Sequence, residues 1–117
     1  MLIGVIKIDL FNEIQELTKK LSTSINQTIK YGKELAEAEC DYKVTLRQEA
    51  LKLRNDDKMA VTLINQIVYG IPEVANKRLK RDIAETMYKT SQEYINTLKL
   101  RIRVLEGQLQ REWTNIK

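Results

Sequence analysis

Apolar positions along the last third of the chain follow one repeat. Ala84, Tyr88, Ser91, Ile95, Leu98, Ile102, Leu105 and Leu109 alternate in steps of four and three, and Trp113 follows after a further step of four. This is the a/d seam of a heptad helix. Ile83, Met87 and Tyr94 widen it on one side, giving an apolar arc of about 140°, broader than a two-stranded contact needs. The pattern predicts a long helix over 72–115 that is touched by two or more neighbours. Pro72 and Glu73 suit its first turn, where a missing N–H costs nothing and a negative charge is favoured.

The first half of the chain carries a similar pattern with a weak stretch in it. Leu10, Ile14, Leu17 and Leu21 recur at helical spacing, and Asp9 or Asn12 suits an N-cap. From Ser22 to Thr28 only Ile25 is apolar, and Gly32 follows. Helix propensity is low there, so a kink, a break or a polar contact is expected at that point. Leu35, Ala38, Tyr42, Leu46, Ala50 and Leu53 then restore the pattern. The predicted helix spans 10–54, preceded by an apolar arm or ragged start over 1–9.

Asn55-Asp56-Asp57 favours a turn. A short helix over 59–69 is expected next, with Val61, Ile64 and Val68 on one side and Leu63 and Ile67 beside them. It is apolar nearly all round and therefore needs cover. Gly70 marks its end. The fold class that results is all-α: an elongated antiparallel hairpin of two long helices with a short helix at the turn. The chain is a single helical domain, 1–117, assembling into a coiled-coil or four-helix-type oligomer. Each long helix runs to about 70 Å at 1.5 Å per residue. Placing Leu53 opposite Leu79 brings the acidic block Glu34, Glu37, Glu39 and Asp41 up to residues 91–98, next to Lys99, Arg101 and Arg103. Arg101, at the edge of the apolar arc, is then expected to meet Glu34 or Glu37.

Composition agrees with helices. The 117 residues include one proline and four glycines, and 31% are charged. The formal net charge of +4 suits solubility, and equally an acidic partner surface or nucleic acid. The opening Met1–Ile8 is apolar but lacks a basic leader region and a cleavage site, and it is far shorter than the ~20 residues of a membrane span. No membrane association is expected. The lone Cys40 points to a structural thiol in a reducing cytoplasm.

Catalytic chemistry finds no foothold. Without histidine there is neither a triad nor a His-ligated metal site. Gly4, Gly32, Gly70 and Gly107 are isolated, so no phosphate loop forms. Asn55-Asp56-Asp57 is too short for a calcium loop. The chain is read as a non-enzyme with no cofactor and no metal.

Two surfaces remain. Arg78, Arg81, Lys89, Lys99, Arg103 and Arg111 are expected on the side of the last helix opposite its apolar arc, a basic line suited to phosphate or to an acidic partner. Up to Glu93 the line is neutralised by the i,i+4 pairs Arg78–Asp82, Arg81–Glu85 and Lys89–Glu93, so charge-driven contact is expected in the Lys99–Arg111 half. Tyr42, Tyr88 and Tyr94 lie on packing faces, so no aromatic ladder accompanies the line. The second surface is the short helix: Met59, Val61, Ile64, Val68 and Tyr69 form a candidate patch for self-association or for docking another protein.

The runs Ala36–Arg47, Val61–Asn65, Arg78–Glu85 and Leu105–Trp113 resemble those of small uncharacterised helical proteins of tailed phages and prophages of Gram-positive bacteria. The resemblance covers residues 35–113 and carries no catalytic residue. It implies a phage protein in the cytoplasm of a bacterial host cell, near recombination and single-strand-binding functions. The leading expectation is a non-enzymatic phage-encoded interaction protein, a dimer or tetramer of helical hairpins that contacts a host or phage protein. The alternatives are a DNA recombination or replication accessory that binds nucleic acid through the basic face, and an inhibitor of a host defence system or host enzyme, in the manner of an anti-CRISPR.

Overall fold

A computed structural model of the chain describes residues 2–114. Among them there is no strand. Helix α1 spans Leu2–Asn55, α2 spans Val61–Ile67, a 3-10 turn covers Val68–Gly70, and α3 spans Pro72–Thr114. The fold is an all-α helical hairpin with a short helix at its turn. The chain divides into two compact units. One is built from residues up to Ile29 and from Thr90 onward, the other from Lys30–Lys89.

The unit Lys30–Lys89 holds the turn. Tyr42, Ile64, Val68 and Val74 form its buried cluster, with Leu46, Ala50, Leu53, Met59 and Ile71 packed against it. Val74 is 0% exposed, and burying a side chain of this size contributes about 1.5–3 kcal/mol. The inward face of α2 thus closes the hairpin end. Ile64 N–H and Leu63 N–H both donate to Ala60 O, each at 3.0 Å, and start α2 without a side-chain cap. Ile71 O accepts from Ala75 N–H at 2.9 Å, so α3 begins where Pro72 was expected to open it. Lys58, in the connection after Asp56-Asp57, sits in the left-handed region at φ 52°.

In the other unit the buried side chains are Leu10, Leu17 and Leu98, the last only 2% exposed. They belong to heptad seams on α1 and α3. Of the two alternatives for residues 1–9, an apolar arm or a ragged helix start, Leu2–Asp9 follows the helical one and is the first part of α1. Asp9 and Asn12 are therefore exposed mid-helix residues, not caps. The reason is that nothing between Leu2 and Leu10 stops a helix, and the seam begins earlier than Leu10. Lys7 is half-buried, with its ammonium 3.6 Å from the centroid of Trp113.

The weak stretch Ser22–Gly32 does not break α1. Thr28 and Ser91 hydrogen-bond across the seam. Thr28 Oγ1 also donates to Ser24 O at 2.8 Å, so Ser91 is the donor in the cross-seam bond. Poor propensity over seven residues is offset by packing, the usual source of helix stability in proteins.

The register differs from the expected one. Pairing Leu53 with Leu79 would put Asp41 opposite Ser91. Instead Asp41 meets Lys77, Oδ2 to Nζ at 3.6 Å, and Ser91 meets Thr28. Arg101 accordingly reaches Glu13, Nη2 to Oε1 at 3.8 Å, and not Glu34 or Glu37. The displacement is about two heptads, and a/d ladders repeat at that interval. Both helix boundaries shift a little: α1 ends at Asn55 and α3 is described to Thr114, while residue 115 of the expected last helix lies outside the described residues, as does Met1 of the expected arm. No helix among the described residues is long and apolar enough to cross a membrane.

Candidate interaction surfaces

The basic line on α3 separates into side chains with different surroundings. Arg81 is not on the outer face. It occupies a seam position, its side chain only 23% exposed, with its guanidinium carbon 4.8 Å from the centroid of Tyr42. Nε donates to Asp82 Oδ1 at 2.8 Å, and this bond raises the guanidinium pKa above its ordinary value. The cause of the misplacement is the seam's reach: it extends back from Ala84 through Arg81 and Lys77 to Val74 at the same spacing. A long, amphipathic side chain fills such a position with its stem and keeps its charge at the edge.

Arg78 is exposed and stands 5.9 Å from the centroid of Tyr69. Lys89 pairs with Glu85 at 2.7 Å, not with Glu93. None of the three expected i,i+4 pairs, Arg78–Asp82, Arg81–Glu85 or Lys89–Glu93, is among the ion pairs of the described residues. In the other unit Lys99, Arg103 and Arg111 are exposed, and among the described residues none of them is in an ion pair. Lys99 and Arg103 share one side with Gln92 and Asn96. Arg111 stands about 120° further round the helix from Lys99 at 100° per residue.

The short-helix patch also divides. Ile64 and Val68 are core residues, and Met59 is half-buried against them. Val61 and Tyr69 are exposed, together with Leu63 and Ile67 one turn apart on the outer side of α2. The inner half therefore closes the hairpin and only the outer half is available to a partner.

Of the tyrosines, Tyr42 is buried and Tyr88 half-buried, as packing faces require, whereas Tyr94 is exposed. It borders a shallow groove with Glu16, Lys19, Lys20, Thr23 and Ser24. A groove of about 220 Å³ in the turn unit is lined by Glu34, Glu37, Ala38, Asp41, Lys77 and Lys80. Its charges are of both signs, and Asp41 and Lys77 pair there at 3.6 Å. Among the described residues no cluster of three His, Cys, Asp or Glu side chains is placed to hold a metal. Cys40 is exposed.

Sequence reasoning missed Leu100 and Val104 on the outside of α3, and it set Leu79 and Ile83 in the inner arc. Leu79, Ile83, Leu100 and Val104 all face solvent. The signal was present: these residues fall in steps of three and four along a row of their own, offset from the inner seam. The chain matches no family model, no curated protein and no solved structure.

Proposed function

We propose that the chain is a non-enzymatic interaction protein that works as an oligomer of helical hairpins. One observation carries this reading: the balance of covered and uncovered apolar side chains. Among the described residues seven hydrophobic side chains are buried, whereas nineteen large ones are exposed. The accessible surface is 8785 Å², where a compact protein of this size exposes about 6,600 Å². The excess, about 2,200 Å² per chain, is of the size that an obligate subunit contact removes. Copies of the same hairpin supply matching helices at the same concentration, and a four-helix arrangement is the way two such hairpins cover each other. The resemblance to phage proteins supports a bacterial cytoplasm as the setting, with a host or phage protein as the further partner.

Sedimentation velocity across a concentration series tests this. The expected result is a dimer or tetramer. A folded monomer at the highest soluble concentration overturns the reading.

A second reading, contact with a phosphate backbone, is favoured by Lys99 and Arg103, which lie on one side of α3 without an ion pair among the described residues. It predicts binding to single- or double-stranded DNA that falls steeply with salt. Salt-insensitive binding, or none, removes it.

A further inference from the structure

The C-terminal half of α3 carries a second row at heptad spacing. From Thr90, steps of three and four lead through Glu93, Thr97, Leu100, Val104 and Gly107 to Arg111. The row is distinct from the inner seam of Ser91, Ile95, Leu98, Ile102 and Leu105. Its two largest apolar members, Leu100 and Val104, are 60% and 58% exposed. A solvated outer face at these positions would carry charge. Between Glu93 and Arg111 it carries threonine, leucine, valine and glycine.

Two of the row's threonines already have a partner for their hydroxyl. Thr97 Oγ1 donates to Glu93 O at 3.0 Å, and Thr114 Oγ1, the next step of the row, donates to Gln110 O at 3.0 Å. Their hydroxyls are satisfied within their own helix, so covering them strands no donor. Gly107 contributes no side chain; the Arg111 guanidinium lies over it, Nη1 3.6 Å from where a Cβ would stand, and swings off it to reach Glu93 of a second copy.

The two charges on the row have opposite sign. Glu93 and Arg111 are exposed, and among the described residues neither is in an ion pair. They are too far apart to pair with each other, about 27 Å along the helix axis at 1.5 Å per residue. Laid antiparallel on itself, however, the row matches. Leu100 meets Val104 of the second copy, Thr97 meets Gly107 of the second copy, and Glu93 meets Arg111 of the second copy. Twofold symmetry makes each of these contacts occur twice. In a parallel pairing in register, Glu93 would face Glu93 and Arg111 would face Arg111. Beside the row, a groove lined by Glu13, Leu100, Arg101, Val104 and Leu105 has Arg101 already held by Glu13, so the cation nearest the axis on that side is neutralised.

Resting on the reading of the chain as a self-assembling hairpin, we propose that this outer row is a second coiled-coil seam and that a second copy of the chain covers it, antiparallel, about a twofold axis between Leu100 and Val104.

The test is a charge swap on the full chain, read by sedimentation equilibrium, with far-UV circular dichroism as the folding control. Glu93→Arg and Arg111→Glu each replace two attractive contacts with two repulsive ones and weaken self-association about tenfold. The double variant restores the pairs with reversed polarity and returns to within about threefold of wild type. Leu100→Lys, at the axis, abolishes the contact. Helicity is unchanged in the charge variants, since both side chains are exposed. Self-association of the wild type that is indifferent to both single swaps, or a double variant as weak as its two single changes combined, overturns this seam while leaving the oligomeric reading intact. A monomeric wild type overturns both.

Discussion

Gly32 lies beneath the ring of Tyr88: a Cβ at position 32 would stand 3.0 Å from Tyr88 Cε1 and 3.5 Å from Cδ1. The glycine weakens α1 by about 1 kcal/mol relative to alanine, and the half-buried tyrosine fills the space it leaves. Gly32→Ala is therefore expected to lose its propensity gain to displacement of the ring. Gly32→Leu is expected to destabilise by about 1–3 kcal/mol through overpacking. Gly4→Ala is the control, with no heavy atom within 4 Å, and is expected to stabilise slightly. In a Tyr88→Ala background Gly32→Ala should become stabilising. Urea denaturation of the four-member cycle measures the coupling, and a coupling near zero would show that the two residues are independent.

This pair also explains which features of the fold were legible in the sequence. The inner seam of α3 from Ala84 to Leu109 was readable because its period repeats through about seven turns. Only its end was misread. Strict alternation continues to the half-buried Glu112, whereas Trp113 is 62% exposed and rests against Lys7. The register was not readable from periodicity. Two a/d ladders fit equally well after sliding by whole heptads, and the expected register was wrong by about two. What distinguishes one register from another is a feature that does not repeat: the single missing side chain at Gly32 beneath Tyr88, and the hydroxyls of Thr28 and Ser91. Both involve the stretch that looked merely weak. The outer row of α3 was missed because Ile83 looked like a broadening of the inner arc and Leu79 like a member of the inner seam, which left Leu100 and Val104 without a row.

The Thr28–Ser91 hydrogen bond predicts an asymmetry between single and double substitutions. Thr28→Val removes the acceptor of the Ser91 hydroxyl and should cost about 1 kcal/mol. Ser91→Ala removes the donor and should cost less, because Thr28 keeps its bond to Ser24 O. The double variant replaces both partners with apolar groups and should be at least as stable as wild type. Thermal unfolding of the four proteins decides this. A double variant that loses the sum of the two single costs would mean that the hydroxyls act separately.

Lys58 adopts φ 52°, a region that costs a residue with a Cβ about 1–2 kcal/mol. The strain is confined to the connection between α1 and α2. Lys58→Gly relieves it but adds freedom to the unfolded chain, leaving an expected net gain of about 0.5 kcal/mol. Lys58→Val, β-branched at the same position, should lose more than 1 kcal/mol. Opposite signs for the two substitutions in chemical denaturation support a left-handed Lys58. Equal signs contradict it.

Arg81 separates stability from charge-driven binding on α3. Its guanidinium packs on Tyr42 in the seam, so Arg81→Ala is expected to lower the melting temperature through lost stacking and stem burial. Arg81→Lys should recover only part of this, because an ammonium does not stack as a planar group does. The loss should persist in high salt, since most of it is packing. Lys99→Ala with Arg103→Ala touches no buried group and should change stability by no more than about 0.5 kcal/mol. The same double change should remove most of any affinity for a labelled single-stranded oligonucleotide in fluorescence polarisation, whereas Arg81→Ala, scored on the folded fraction, should leave that affinity nearly unchanged. If Arg81→Ala instead weakens oligonucleotide binding without lowering the melting temperature, Arg81 belongs to a binding surface and its seam position is incidental.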